Sequence, residues 1–170
     1  MSLGDGSQRQ LRALSHPVRL RILSLVTGTA MSSAELAREL GLSHAAVSFH
    51  VRQLASAGYL ELAETRSVRG GQERRYRARP GGREQWKSED PRMTVRAAAT
   101  EMTRRLAAGE TRWNVFSDSE LWVAPHAWKD AVARIASALA DLEAAAGPPR
   151  APGALHVSAT AMLFVIDGSR

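Results

Sequence analysis

The spacing of apolar residues makes the start of the chain helical. From Gln10 the stretch LRALSHPVRLRILSLV places Leu11 and Leu14, then Val18, Ile22, Leu25 and Val26, at the three- and four-residue intervals of a helix face. Pro17 suits the first position of a helix, with His16 just before it, so the pattern predicts two short helices, the second ended by Gly28. Ser32–Ser33 then cap SSAELARELG, in which Ala34, Leu36, Ala37 and Leu40 form the apolar side while Glu35 and Glu39 turn to water. Gly41-Leu42-Ser43 reads as a tight turn: glycine tolerates the positive φ such a turn needs, and Ser43 is free to cap the next helix. That helix, His44–Ala57, carries the stripe Val47, Val51, Leu54 and stops at Gly58.

The period then changes. Tyr59–Thr65 and Glu73–Ala78 read as strands joined by Arg69-Gly70-Gly71-Gln72, a hairpin turn. Pro80-Gly81-Gly82 marks an expected domain boundary, dividing the chain into 1–80 and 81–170. Beyond it, Met93–Ala108 is predicted helical, with Val95, Ala98, Met102 and Leu106 near one face. ETRWNVFSDSELWVAP suggests one or two strands, Leu121-Trp122-Val123 being the clearest, before Pro125 opens a helix that has only Ala124 at its cap position. This helix runs to about Ala146 with Trp128, Val132, Ile135, Leu139 and Leu142 in a seam that fits either its own sheet or a partner subunit. After Gly147-Pro148-Pro149, His156–Ile166 (HVSATAMLFVI) is apolar on both faces and is expected as a central strand. The expected fold is α+β: a winged helix-turn-helix followed by a small strand-helix-strand module.

Charge adds a functional direction. The net charge is +6 over 170 residues, and residues 1–80 hold 12 arginines against 6 acidic residues. The other half balances 11 basic against 11 acidic residues. A basic half joined to a neutral one points to a polyanion partner. An arginine-favouring genome explains why Lys87 and Lys129 are the only lysines, but not why the halves differ. The absence of cysteine excludes disulfides, thiol nucleophiles and thiolate metal sites. No apolar run approaches the roughly 20 residues that span a bilayer, and MSLGDGSQRQ lacks a signal-peptide core, so a cytoplasmic protein is expected.

Two elements carry candidate chemistry. On the helix from His44, the face opposite Val47, Val51 and Leu54 is centred on Ala45, Phe49 and Arg52, with Ser48 beside them and Ser43 and His44 at the N-terminus. Arg52 and His44 can donate to guanine, Ser48 can pair either way, and Ala45 or Phe49 can touch a thymine methyl. Phe49 has the alternative of tucking against the N-terminal helices. The hairpin supplies Arg69, Arg74, Arg75 and Arg77 as candidate phosphate contacts, with Arg66 and Arg79 nearby and Tyr76 expected to pack inward.

These residues resemble the ArsR-type winged-helix transcriptional regulators. The resemblance rests on LRALSHPVRLRILSLV (11–26), SSAELARELGLSHAAVSFHVRQLASAGYLE (32–61) and GGQERRYRA (70–78), about half the chain. It implies a homodimeric repressor on double-stranded DNA with an inverted-repeat operator, released by an inducer. It places Ser43, His44, Ala45, Ser48, Phe49 and Arg52 on the DNA-reading helix, and His50 matches a histidine that family members often carry. Metal sensing, the family's best-known activity, lacks its residues here. The helix 33–40 has no cysteine pair, 93–108 has neither His nor Asp, and the five histidines are scattered. Asp118, Glu120 and His126 read as loop and cap residues, and no cofactor or metal is expected. Residues 116–168 look like the C-terminal extension of a branch of these regulators. That extension is either a dimerisation module or one enclosing a small organic effector, with Trp113, Trp122 and Trp128 as candidate lining or plain core.

The competing class is a winged-helix protein-interaction module whose basic face docks an acidic partner and binds DNA without sequence preference. Enzymatic activity is not expected: there is no glycine-rich phosphate loop, no nucleophile elbow and no paired carboxylates.

Overall fold

The computed structural model describes residues 14–68, 70–79, 91–108 and 115–166. The chain divides into two compact units, Met1–Glu110 and Thr111–Arg170. In the first, the elements run α1 (Pro17–Leu25), β1 (Met31–Ser32), α2 (Ser33–Leu40), α3 (His44–Ser56), β2 (Leu60–Val68), β3 (Gly71–Ala78) and α4 (Pro91–Ala107). The three strands form one antiparallel sheet ordered β1-β3-β2.

Each helix boundary has a local cause. The ring nitrogen Nδ1 of His16 accepts the Val18 N–H at 3.2 Å and caps α1, with Pro17 in the first turn where its missing N–H costs nothing. Ser32 and Glu35 form a reciprocal capping box at the start of α2: Glu35 N–H donates to Ser32 Oγ, and Ser32 N–H donates to the Glu35 carboxylate. Gly41 ends α2 at φ 66, a left-handed conformation in which a side chain would be strained. The guanidinium of Arg21 in α1 then donates to the terminal carbonyls of Glu39 and Leu40, placing a cation at the negative end of α2. Ser43 caps α3 by accepting from Ala46 N–H.

The core is continuous. Ile22, Leu23 and Val26 of α1 meet Leu36, Ala37 and Leu40 of α2 and Val47, Val51 and Leu54 of α3, closed below by Tyr59, Leu60 and Met31. The helical spacing predicts these stripes with one exchange: Leu23 is buried although not expected, while Val18 and Leu25 are only partly buried. Tyr76 packs against this core from β3, as strand alternation suggests.

Three features depart from expectation. The strand β1 has too few residues to show a period; it forms because Met31 pairs with Tyr76 and Ser32 with Arg75. The hairpin is longer than the expected strands, its arms pair out to Val68 and Gly71, and the register slips between Leu62 and Glu64. Helix α4 packs on α1, so the first compact unit extends past the boundary expected at residue 80. The buried residues of α4 are Ala97 and Glu101, the latter held by Arg104 Nε at 3.0 Å and Arg105 Nε at 3.8 Å, while Val95, Met102 and Leu106 stay exposed.

In the second unit, α5 (Pro125–Ala144) starts at Ala124 without a side-chain cap. The expected strands at 121–123 and 156–166 are not formed: among the described residues neither belongs to a sheet, and their large apolar side chains are exposed.

Candidate nucleic-acid interface

Helix α3 shows one face to the core and the other to solvent. Val47, Val51 and Leu54 are buried, whereas Ser43, His44, Ala45, Phe49 and Arg52 are exposed and Ser48 is half-buried. Along this face Ser48 Oγ lies 3.5 Å from His44 Nε2, so the two side chains sit one turn apart as a polar pair. The Ser43 hydroxyl caps the helix as an acceptor, which leaves its proton available to a phosphate oxygen. Phe49 is 49% exposed, its ring edge resting on His50 at a centroid distance of 5.5 Å. It therefore lies out on the polar face instead of being tucked fully under the N-terminal helices.

Behind this face sits a histidine pair that the sequence did not bring together. The rings of His16 and His50 are tilted at a centroid distance of 4.7 Å, and His50 Nδ1 is buried without a hydrogen-bond partner. Burial, and then the neighbouring Arg19 charge, hold His16 below its ordinary pKa. Burial, then His16 and Arg19, do the same for His50. Both therefore favour the neutral form at pH 7.

The wing arginines divide by environment. Arg75 is only 13% exposed; its guanidinium donates to Glu35 Oε1 at 2.7 Å and to the Ala30 carbonyl, and its Nε lies 2.9 Å from Glu64 Oε1. The Nε contact is an ion pair without hydrogen-bond alignment. Burial raises the Glu35 carboxyl, but the Ser32 N–H, the Arg75 hydrogen bond and the Arg75 and Arg38 charges outweigh it and hold it below its ordinary value. Expected among the phosphate contacts, Arg75 is thus committed to tying the hairpin to the start of α2. Glu35, expected to face water, is its partner; the Ser-x-x-Glu spacing of a capping box was the available signal. Arg77 pairs with Glu61 and Arg66 with Glu64, both arginines remaining largely exposed. Arg74 is exposed and, among the described residues, has no ion pair. Arg69 lies outside the described residues.

The exposed face of α3 and the hairpin enclose a groove of about 450 Å³ whose walls include His44, Ser48, Arg52, Gln72 and Arg74. Helix face and strand arm thus converge on one concave surface carrying donors from both. Residues 14–63 match a family model described as a helix-turn-helix domain. The hairpin directly after it is the wing. The chain carries a winged helix-turn-helix domain.

Three solved structures are similar to this chain. One is the crystal structure of a "possible transcriptional regulator for arsenical resistance", 28% identical, with 61% of this chain and 97% of that one covered and a TM-score of 0.38. An ArsR-like transcriptional regulator from Rhodococcus sp. RHA1 is 27% identical over 64% of this chain and 92% of its own, with a TM-score of 0.40. HlyU from Vibrio cholerae N16961 is 20% identical over 63% and 99%, with a TM-score of 0.36. No curated protein matches the chain.

Outside this domain stand the three tryptophans expected as effector lining or plain core. Trp113 lies outside the described residues, Trp122 is 91% exposed and Trp128 is half-buried on α5. Among the described residues no group of three or more His, Cys, Asp or Glu is placed to hold a metal, and no helix is long and apolar enough to cross a membrane.

Proposed function

We propose that the protein is a sequence-specific, double-stranded-DNA-binding transcriptional repressor that acts as a homodimer on an inverted-repeat operator. The observation that supports this reading is the shared groove: His44, Ser48 and Arg52 of α3 and Arg74 of the wing line one concavity. In it, α3 enters the major groove by its N-terminal end, Arg52 and His44 address base edges, and Phe49 and Ala45 meet thymine methyls. Arg74, Arg77 and Arg69 contact phosphates, while Arg75 holds the wing in place. The stripe Val95, Met102 and Leu106, exposed on α4, fits a helix-to-helix dimer contact. A dimer sets two α3 helices about one helical turn apart or somewhat more, and occupancy blocks transcription by exclusion. The protein works by binding in the cytoplasm and catalyses no reaction.

Selection from a random duplex pool tests the reading, followed by affinity measurements against salt for the winner and a scrambled duplex. A palindromic winner bound orders of magnitude more tightly is the expected result. Equal, steeply salt-dependent binding to both duplexes overturns it and leaves a basic surface for an acidic protein partner.

A further inference from the structure

Among the described residues of the second compact unit none is buried. None of the described residues of α5 is buried, and the segments 115–124 and 155–166 on either side of it belong to no sheet. The segment 155–166 is unusual even among exposed segments. It holds no Asp, Glu, Lys or Arg, its first half alternates His156, Ser158 and Thr160 with Val157, Ala159 and Ala161, and it ends in the run Met162-Leu163-Phe164-Val165-Ile166. Leu155, Val157 and Met162–Ile166 are all exposed, from 39% at Leu163 to 85% at Leu155, a contiguous apolar run of the kind that marks an interaction surface.

We infer that segment 155–166 pairs antiparallel with the same segment of a second copy across a two-fold axis, forming the central ladder of a sheet that exists only in the dimer. Three observations select a second copy as the occupant. An uncharged segment offers nothing to a nucleic acid or an acidic protein, but it meets its own counterpart without repulsion. Segment 115–124 carries Asp118 and Glu120 in its middle and would set like charges together if it paired with itself. An antiparallel pair of identical segments also closes on itself, with one two-fold satisfying both chains. A run apolar on both faces needs cover on both, and the α5 seam Trp128, Val132, Ile135, Leu139, Leu142 from the two copies is available to provide it. This inference rests on the homodimer proposed above and adds a second contact to it, far along the chain from α4.

The absence of cysteine makes the test direct, because a single introduced cysteine can form a disulfide only with its counterpart in another copy. In the full-length protein, single substitutions Val157→Cys through Phe164→Cys are oxidised, with Ser56→Cys at the exposed end of α3 as control. Cross-linking is expected to peak at one or two neighbouring positions, at least about tenfold above the control, and to fall away on both sides. Amide hydrogen exchange on the unmodified protein is the second reading: residues 155–166 should exchange about 100-fold or more slower than an unstructured chain. A flat cross-linking profile overturns the inference, whether the amides are open or are protected by closure within one chain. A palindromic duplex winner alongside a flat profile leaves the DNA reading standing and removes this contact alone. A peaked profile without a preferred duplex does the reverse.

Discussion

Replacing Arg75 separates holding the wing from touching DNA. Arg75→Met keeps the length and apolar stem of the side chain but removes three interactions: a charge-assisted hydrogen bond to Glu35, a bond to the Ala30 carbonyl and an ion pair with Glu64. A hydrogen bond to a charged group contributes about 1.5–3 kcal/mol when buried, and the partial exposure of Glu35 puts this one at the low end. The carbonyl adds about 1 kcal/mol and the more exposed Glu64 pair at most about 0.5 kcal/mol. The expected loss is about 2–3 kcal/mol, or on the order of 10 °C in the melting temperature of a unit this size. Circular dichroism melts measure it, and fluorescence anisotropy against salt on a labelled duplex measures the other half. Below its melting transition Arg75→Met should keep the wild-type salt slope, whereas Arg74→Ala, with unchanged melting, should reduce that slope by about 0.9 for the phosphate it releases. An Arg75→Met protein that melts like the wild type and loses a unit of salt slope would refute the assignment of Arg75 as a strut.

Two further outcomes follow from the same geometry. Arg52→Ala should cost about 1–3 kcal/mol at one base position and relax preference there, with the salt slope nearly unchanged; a uniform loss across all sequences would place Arg52 on the phosphates instead. His16 and His50 have folded-state pKa values below 6.5, so their stabilisation is complete above pH 6.5 and is lost as pH falls from there through the folded values. His16→Ser, which retains a capping hydroxyl, should flatten unfolding free energy measured between pH 7.5 and 5.5; a decline as steep as that of the wild type would assign the loss elsewhere, since Glu35 acts only in the lower, carboxylate range.

The readable parts of the fold were those whose causes lie close together in sequence. Ser43, Gly41 and Pro17 act within a few residues, and Val47, Val51 and Leu54 repeat at the helical interval, so α1 to α3 and the exposed face of α3 were legible. The role of Arg75 was not, because alternation separates the faces of a strand but cannot name a partner 40 residues away. His16 and His50, on different helices, met for the same reason without warning. The apolar spacing of 156–166 is strand-like, yet that pattern only states what the backbone would accept. Forming the strand also depends on a ladder with a neighbouring strand, and among the described residues the segment belongs to no sheet.

The anchoring of the hairpin sets a length. Its base is fixed to β1 through Tyr76 and Arg75, opposite Glu64, and beyond that rung the arms continue from Thr65 to Val68 paired with Gly71 to Arg74. These four rungs make a cantilever of about 14 Å at ~3.4 Å per residue, a little under half of the ~34 Å helical repeat of DNA. In the proposed complex, with α3 in one groove, an arm of that reach extends toward the next groove along the duplex. The stretch shielded from a nuclease should therefore exceed the stretch whose bases are read, by about half a turn at each end, and the outer margins should respond to groove width more than to base identity.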